Sequence, residues 1–100
     1  MKNMTKILLV LALISTAVMA TDAASLYKQC ASCHGSLGEK KALGKSKVIN
    51  EMSKESLASA LKGYQDGSYG ASMKALMKGQ VAKLNNEDMD ALAQYISTMK

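Results

Sequence analysis

The chain has 100 residues, which allows one small domain. It carries a formal charge of +5, but every basic residue is a lysine and no long basic run occurs, which argues against nucleic acid as a partner. Phe and Trp are absent and four tyrosines supply all the aromatic bulk, so a chain this short struggles to bury a sufficient core unaided.

Lys2 and Lys6 form a short basic region, followed over 7–20 by ILLVLALISTAVMA. This apolar run is short for a bilayer span and ends in small residues, the pattern of a secretory signal peptide. Val18 and Ala20 place the cut after Ala20, with Ala23 or Ala24 as alternatives. The expected organisation is a cleaved signal peptide over 1–20, a single domain over 21–100, and export to the periplasm. An uncleaved membrane anchor is the rival. Beyond residue 20 the chain keeps 11 lysines against 8 acidic residues.

Residues 22–33, DAASLYKQCASC, place Leu26, Cys30 and Cys33 on one face at helical spacing, with Ala23 extending it. Asp22 is a fair N-cap, and Gly35 is placed to end the helix in a left-handed conformation. The last turn carries Cys30-Ala31-Ser32-Cys33-His34, which holds both cysteines and the only histidine of the chain. This C-x-x-C-H is the attachment pattern of haem c. Residues three apart face one side of a helix, so Cys30 and Cys33 can form thioethers along one haem edge. His34, next in sequence, can then ligate the iron.

Other uses of two cysteines fit less well. A thioredoxin-like dithiol would sit beside a βαβ pattern, and no strand-like run exists here. A closed zinc site wants four ligands, and the chain has three Cys and His residues in total. A disulfide across so short a loop gains little.

Residues 36–50, SLGEKKALGKSKVIN, lack periodicity and read as a long loop that could wrap a haem edge. A backbone carbonyl near 43–45 is the expected acceptor for the second ring nitrogen of His34. Ser53 caps a second helix over 54–64 with an apolar stripe of Leu57, Ala60, Leu61 and Tyr64. Gly63, Gly67 and Gly70 are expected to break the chain around Asp66, a turn former, and Tyr69. Tyr64 and Tyr69 read equally as haem or propionate contacts and as ordinary core aromatics. A short helical segment follows over 71–79, with Gly79 as its exit. Asn85 then caps the last helix, with Asp88 completing a capping-box-like start. Its face is Met89, Leu92, Ala93, Ile96 and Met99, with Tyr95 on the flank. The fold class is all-α.

With one histidine, a second axial ligand must be Met, Lys, Tyr, water or nothing. Met52, Met73, Met77, Met89 and Met99 lie beyond the signal segment. Packing accounts for Met89 and Met99, and a hydrophobic staple for Met52. Met73 and Met77 remain, and spacing favours Met77 only slightly.

Over nearly all of 22–99 the chain resembles small class I monohaem cytochromes c of the bacterial c-553 type. The resemblance lies in LYKQCASCHG, KGYQDGSYG, KALMK and ALAQYIS, the second block being the most distinctive. It implies the class I cytochrome c fold, with three main helices and a short distal helix around one covalently attached haem c. It also implies Met77 as the second axial ligand, at the last Met of the KA-x-M segment. There the family has Met–Met and this chain has Leu76-Met77. The amino-terminal helix would cross the last one, bringing Leu26 and Tyr27 to Leu92, Tyr95 and Ile96.

The expected function is a periplasmic, monomeric electron carrier with a His/Met-ligated low-spin iron and no enzymatic chemistry. The resemblance implies service to a terminal oxidase, a cytochrome c peroxidase or a periplasmic dehydrogenase such as formate dehydrogenase, and no small-molecule substrate is expected. Lys40, Lys41, Lys45, Lys47, Lys74, Lys78 and Lys83 would ring the haem edge for docking, or else form a merely solvated face. The rivals are a peroxidase or gas sensor with an open sixth site, and a membrane-tethered subunit of an oxidase or dehydrogenase.

Overall fold

The computed structural model describes residues 22–99. The signal segment expected over 1–20 lies outside them. Among the described residues there are four α-helices and no strand: α1 Ala23–His34, α2 Lys54–Asp66, α3 Lys74–Val81 and α4 Asn86–Ser97. This is the expected all-α architecture, three longer helices and one short one. None of these helices is long and apolar enough to cross a membrane.

The caps fall where the sequence puts them. Asp22 accepts from the Ser25 N–H at 3.3 Å and Ser53 from the Ser56 N–H at 3.0 Å. In α4, Asn85 Oδ1 accepts from the Asp88 N–H at 2.8 Å while Asp88 Oδ2 accepts from the Asn85 N–H at 3.0 Å. Each cap satisfies amide donors that the first turn of a helix leaves without carbonyl partners.

The core forms where α4 crosses α1 and α2. Tyr27, Leu57, Leu92, Ala93, Ile96 and Met99 form one buried cluster, with Leu26, Met52 and Tyr95 packed against it. The Tyr27 and Tyr95 rings sit 5.9 Å apart at 57°, as the expected helix crossing requires. On α1 it is Tyr27, not Leu26, that is fully buried. The apolar face of α1 is therefore turned by about one residue from the periodicity reading. The larger ring is buried in the crossing, and Leu26 packs against the cluster half-buried.

Three further expectations are corrected. Gly63 does not break the chain, because α2 runs through it to Asp66 and ends at Gly67, whose φ of 87° is left-handed. Gly79 is likewise inside α3, which continues to Val81. Segment 36–50 is not wholly irregular: 3-10 turns occupy Ala42–Gly44 and Ile49–Glu51. In each case backbone hydrogen bonding to neighbouring carbonyls outweighs the weak preference of one glycine or of an aperiodic stretch.

Candidate haem-attachment site

The last turn of α1 carries Cys30, Cys33 and His34. Cys30 is half-buried, Cys33 is exposed, and both are free thiols. The structure thus gives the disulfide reading no support. Among the described residues no three His, Cys, Asp or Glu side chains gather as ligands of a bare metal ion would, so the zinc reading has none either. Burial pushes the Cys30 thiol up to about 11, and the nearby Cys33 adds to the effect. It therefore stays protonated at neutral pH.

His34 is buried, and that burial holds its imidazole below the usual histidine range. Its Nδ1 is fully buried with no hydrogen-bond partner, so the acceptor expected from 43–45 is not supplied. Gly35 ends the helix with φ 91° and ψ 157°, a positive-φ corner that only glycine adopts without strain, although its ψ is extended and not helical. The Tyr27 hydroxyl donates to the Gly35 carbonyl at 2.6 Å.

Met77 comes from α3. Met73, Met77 and Val81 form the inward row of that helix at four-residue spacing, the two methionines half-buried and Val81 buried. Every other residue of α3 is exposed. The carboxy-terminal end of α3 is pinned on two sides. Gln65 of α2 donates to the carbonyls of Val81 at 2.9 Å and Leu84 at 2.7 Å, and Gln29 of α1 donates to that of Gln80 at 3.1 Å. Gln29 and Gln65 carry no sequence signal for this role, since a helical glutamine ordinarily reads as surface.

Tyr64 and Tyr69 pair edge-on, with centroids 5.0 Å apart at 87°. Burial, and then the neighbouring Tyr69, raises the Tyr64 phenol above its ordinary value. The Ser68 hydroxyl and amide lower the exposed Asp66 carboxyl, and the Ser68 N–H donates to it at 2.9 Å, an Asx-type turn.

These residues fit a haem. Two free thiols stand three apart beside a buried imidazole whose Nδ1 has no partner. Leu37, Leu43 and Leu76 expose 53%, 61% and 47% of their surface, apolar area that a large flat cofactor could cover. Leu43 is also held at φ 53°, a left-handed conformation costly for a leucine.

Comparison with known proteins agrees. Residues 20–100 match the family described as Cytochrome c. A cytochrome c-553 of Helicobacter pylori (strain ATCC 700392 / 26695) is 43% identical over 99 residues, covering 97% of this chain and 100% of the relative. One from Nitratidesulfovibrio vulgaris (strain DSM 19637 / Miyazaki F) is 43% identical over 84 residues, 84% of this chain and 82% of the relative. Another, from Desulfomicrobium norvegicum, is 37% identical over 71 residues, 71% and 86% of the two chains. Motif, helices and relatives converge, and the chain belongs to the cytochrome c family.

Proposed function

We propose that the protein is an exported carrier of single electrons. Cys30 and Cys33 would hold one haem c through thioethers, and His34 Nε2 and Met77 Sδ would ligate its iron. The observation that carries this reading is the last turn of α1, where two free thiols stand beside a buried imidazole in a chain of this family. The relatives' name, cytochrome c-553, supports it.

When bound, the haem supplies an iron that changes between ferrous and ferric states. The polypeptide holds and tunes it. The buried His34 ring offers a neutral nitrogen, because burial disfavours its protonation. Met77 offers a soft thioether from the inward row of α3, which favours Fe(II) and raises the potential relative to a second histidine. With His34 and Met77 both ligating the iron, the haem would offer no open site to a substrate, which suits a carrier rather than an enzyme.

The segment over 1–20 is read as a signal peptide directing the chain to the periplasm, leaving a domain over 21–100. A mature mass lacking residues 1–20 supports this, and retention of them supports the tethered subunit. The partners are redox proteins such as a terminal oxidase, a cytochrome c peroxidase or a periplasmic dehydrogenase, met by a monomer. Lys40, Lys41, Lys45, Lys47, Lys74, Lys78 and Lys83 are all exposed and available to an acidic surface. Electron-transfer rates that fall with ionic strength are the expected sign of that docking.

The test is the visible spectrum of the haem-loaded ferric protein. A weak long-wavelength methionine–iron charge-transfer band is expected, lost in Met77→Ala and kept in Met73→Ala. A high-spin wild-type spectrum without the band would overturn His34/Met77 ligation in favour of an open iron, as a peroxidase or gas sensor needs.

A further inference from the structure

The corner that follows His34 is tied at three backbone atoms. The Gly35 N–H donates to Ala31 O at 2.8 Å, the Lys40 N–H to His34 O at 2.9 Å, and the Gly38 N–H to Gly35 O at 3.1 Å. Those three bonds run between backbone groups. A fourth comes from a side chain: the Tyr27 hydroxyl donates to Gly35 O at 2.6 Å, in a buried setting.

Tyr27 and His34 are seven residues apart, so they lie on the same face of α1 two turns from each other. The Tyr27 ring is buried in the α1–α4 crossing beside Tyr95 and belongs to the core cluster with Leu92 and Ile96. Its hydroxyl therefore has a position dictated by tertiary packing. Gly35 has no Cβ to restrict its backbone, and at φ 91° a Cβ there would overlap the Glu39 carboxylate. The corner thus depends on its hydrogen bonds. His34 cannot be steadied through Nδ1, which is buried without a partner.

We propose that Tyr27 is a positioning residue for His34. Its hydroxyl, anchored in the α1–α4 contact, fixes the Gly35 carbonyl and with it the backbone from which the imidazole projects. This role rests on His34 being an axial ligand, as read above. The plane of an axial imidazole governs its overlap with the iron orbitals. A ligand held through its surroundings transmits changes in them to the metal.

The experiment uses the haem-loaded protein and compares wild type, Tyr27→Phe and Tyr95→Phe. Tyr27→Phe keeps the ring and removes the hydroxyl, while Tyr95→Phe removes the hydroxyl from the other ring of the pair. The readout is the pattern of hyperfine-shifted haem methyl resonances in the ferric protein, with the midpoint potential beside it. Tyr27→Phe is expected to redistribute the methyl shifts and move the potential, and Tyr95→Phe to leave both as in wild type. If Tyr27→Phe melts earlier but keeps the wild-type pattern, the bond is only structural and the proposal falls. Equal effects in both variants overturn it too. A wild-type spectrum lacking a histidine-coordinated iron overturns this proposal together with the ligation beneath it.

Discussion

Tyr69 packs directly on the backbone of Gly63. The Tyr69 N–H donates to the Gly63 carbonyl at 3.2 Å, and a Cβ built on Gly63 would lie 2.5 Å from the Tyr69 Cβ. That close approach lets the chain leaving α2 fold back so that the Tyr69 ring meets Tyr64. Replacing a helical glycine by alanine ordinarily gains about 1 kcal/mol. Here the overlap involves a backbone-proximal atom that cannot swing aside, and overpacking costs about 1–3 kcal/mol. Gly63→Ala is therefore expected to destabilise the protein, with a lower urea midpoint as the check.

The Tyr27 phenol predicts alkaline sensitivity. Burial, and to a smaller extent the nearby Cys30 and Glu39, raises it to about 12, against about 10 for a free tyrosine. Between those values the unfolded chain has lost a proton that the folded one keeps, so stability falls as pH rises. The contribution is fully present below about pH 10 and gone by about pH 12. Melting curves across this window should show a steeper loss in wild type than in Tyr27→Phe.

Leu92 is buried at the heart of the cluster where α4 meets α1 and α2. Leu92→Ala is expected to cost about 2–5 kcal/mol, the range for emptying a leucine-sized core site. Guanidinium titration followed by far-ultraviolet dichroism would measure it, with the slope unchanged if the loss is confined to the cavity.

Asn85→Ala removes one half of the reciprocal cap on α4 and is expected to cost about 1 kcal/mol. Asn85→Asp should recover most of that, since a carboxylate also accepts from the Asp88 N–H. Parallel thermal melts of the two variants decide it.

Covalent attachment has its own signature. Cys30→Ala and Cys33→Ala should each keep haem on the chain in a denaturing gel stained for haem, through the remaining thioether. The double variant should lose it entirely. Retained stain in the double variant would contradict attachment through these two sulfurs.

The attachment motif and the caps were legible because both are local. The pairing of thiols with imidazole lies within one helical turn, and the Asp22, Ser53 and Asn85 caps each act on an amide three residues away. The role of Gly63 is not local: it is set by Tyr69, which reaches it only after the chain has folded back. Spacing favours Met77 over Met73 only slightly, because Met73, at the cap of α3, and Met77, one turn on, are both half-buried on its inward side.

By itself the sequence determined the helical class, the order of the helices, the starts of the three capped ones, and the chemistry of residues 30–34. These follow from propensity, capping and spacing, which act within a few residues. Only the tertiary structure decided that Tyr27, rather than Leu26, is the buried residue of the α1–α4 crossing and that its hydroxyl reaches Gly35. Only it, too, decided that Gln29 and Gln65 pin the end of α3 and that Nδ1 of His34 is buried without a partner. Those relationships join groups distant along the chain, or depend on which side of a helix its neighbours cover. They come into being only when packing removes the groups from water, and no local pattern records them.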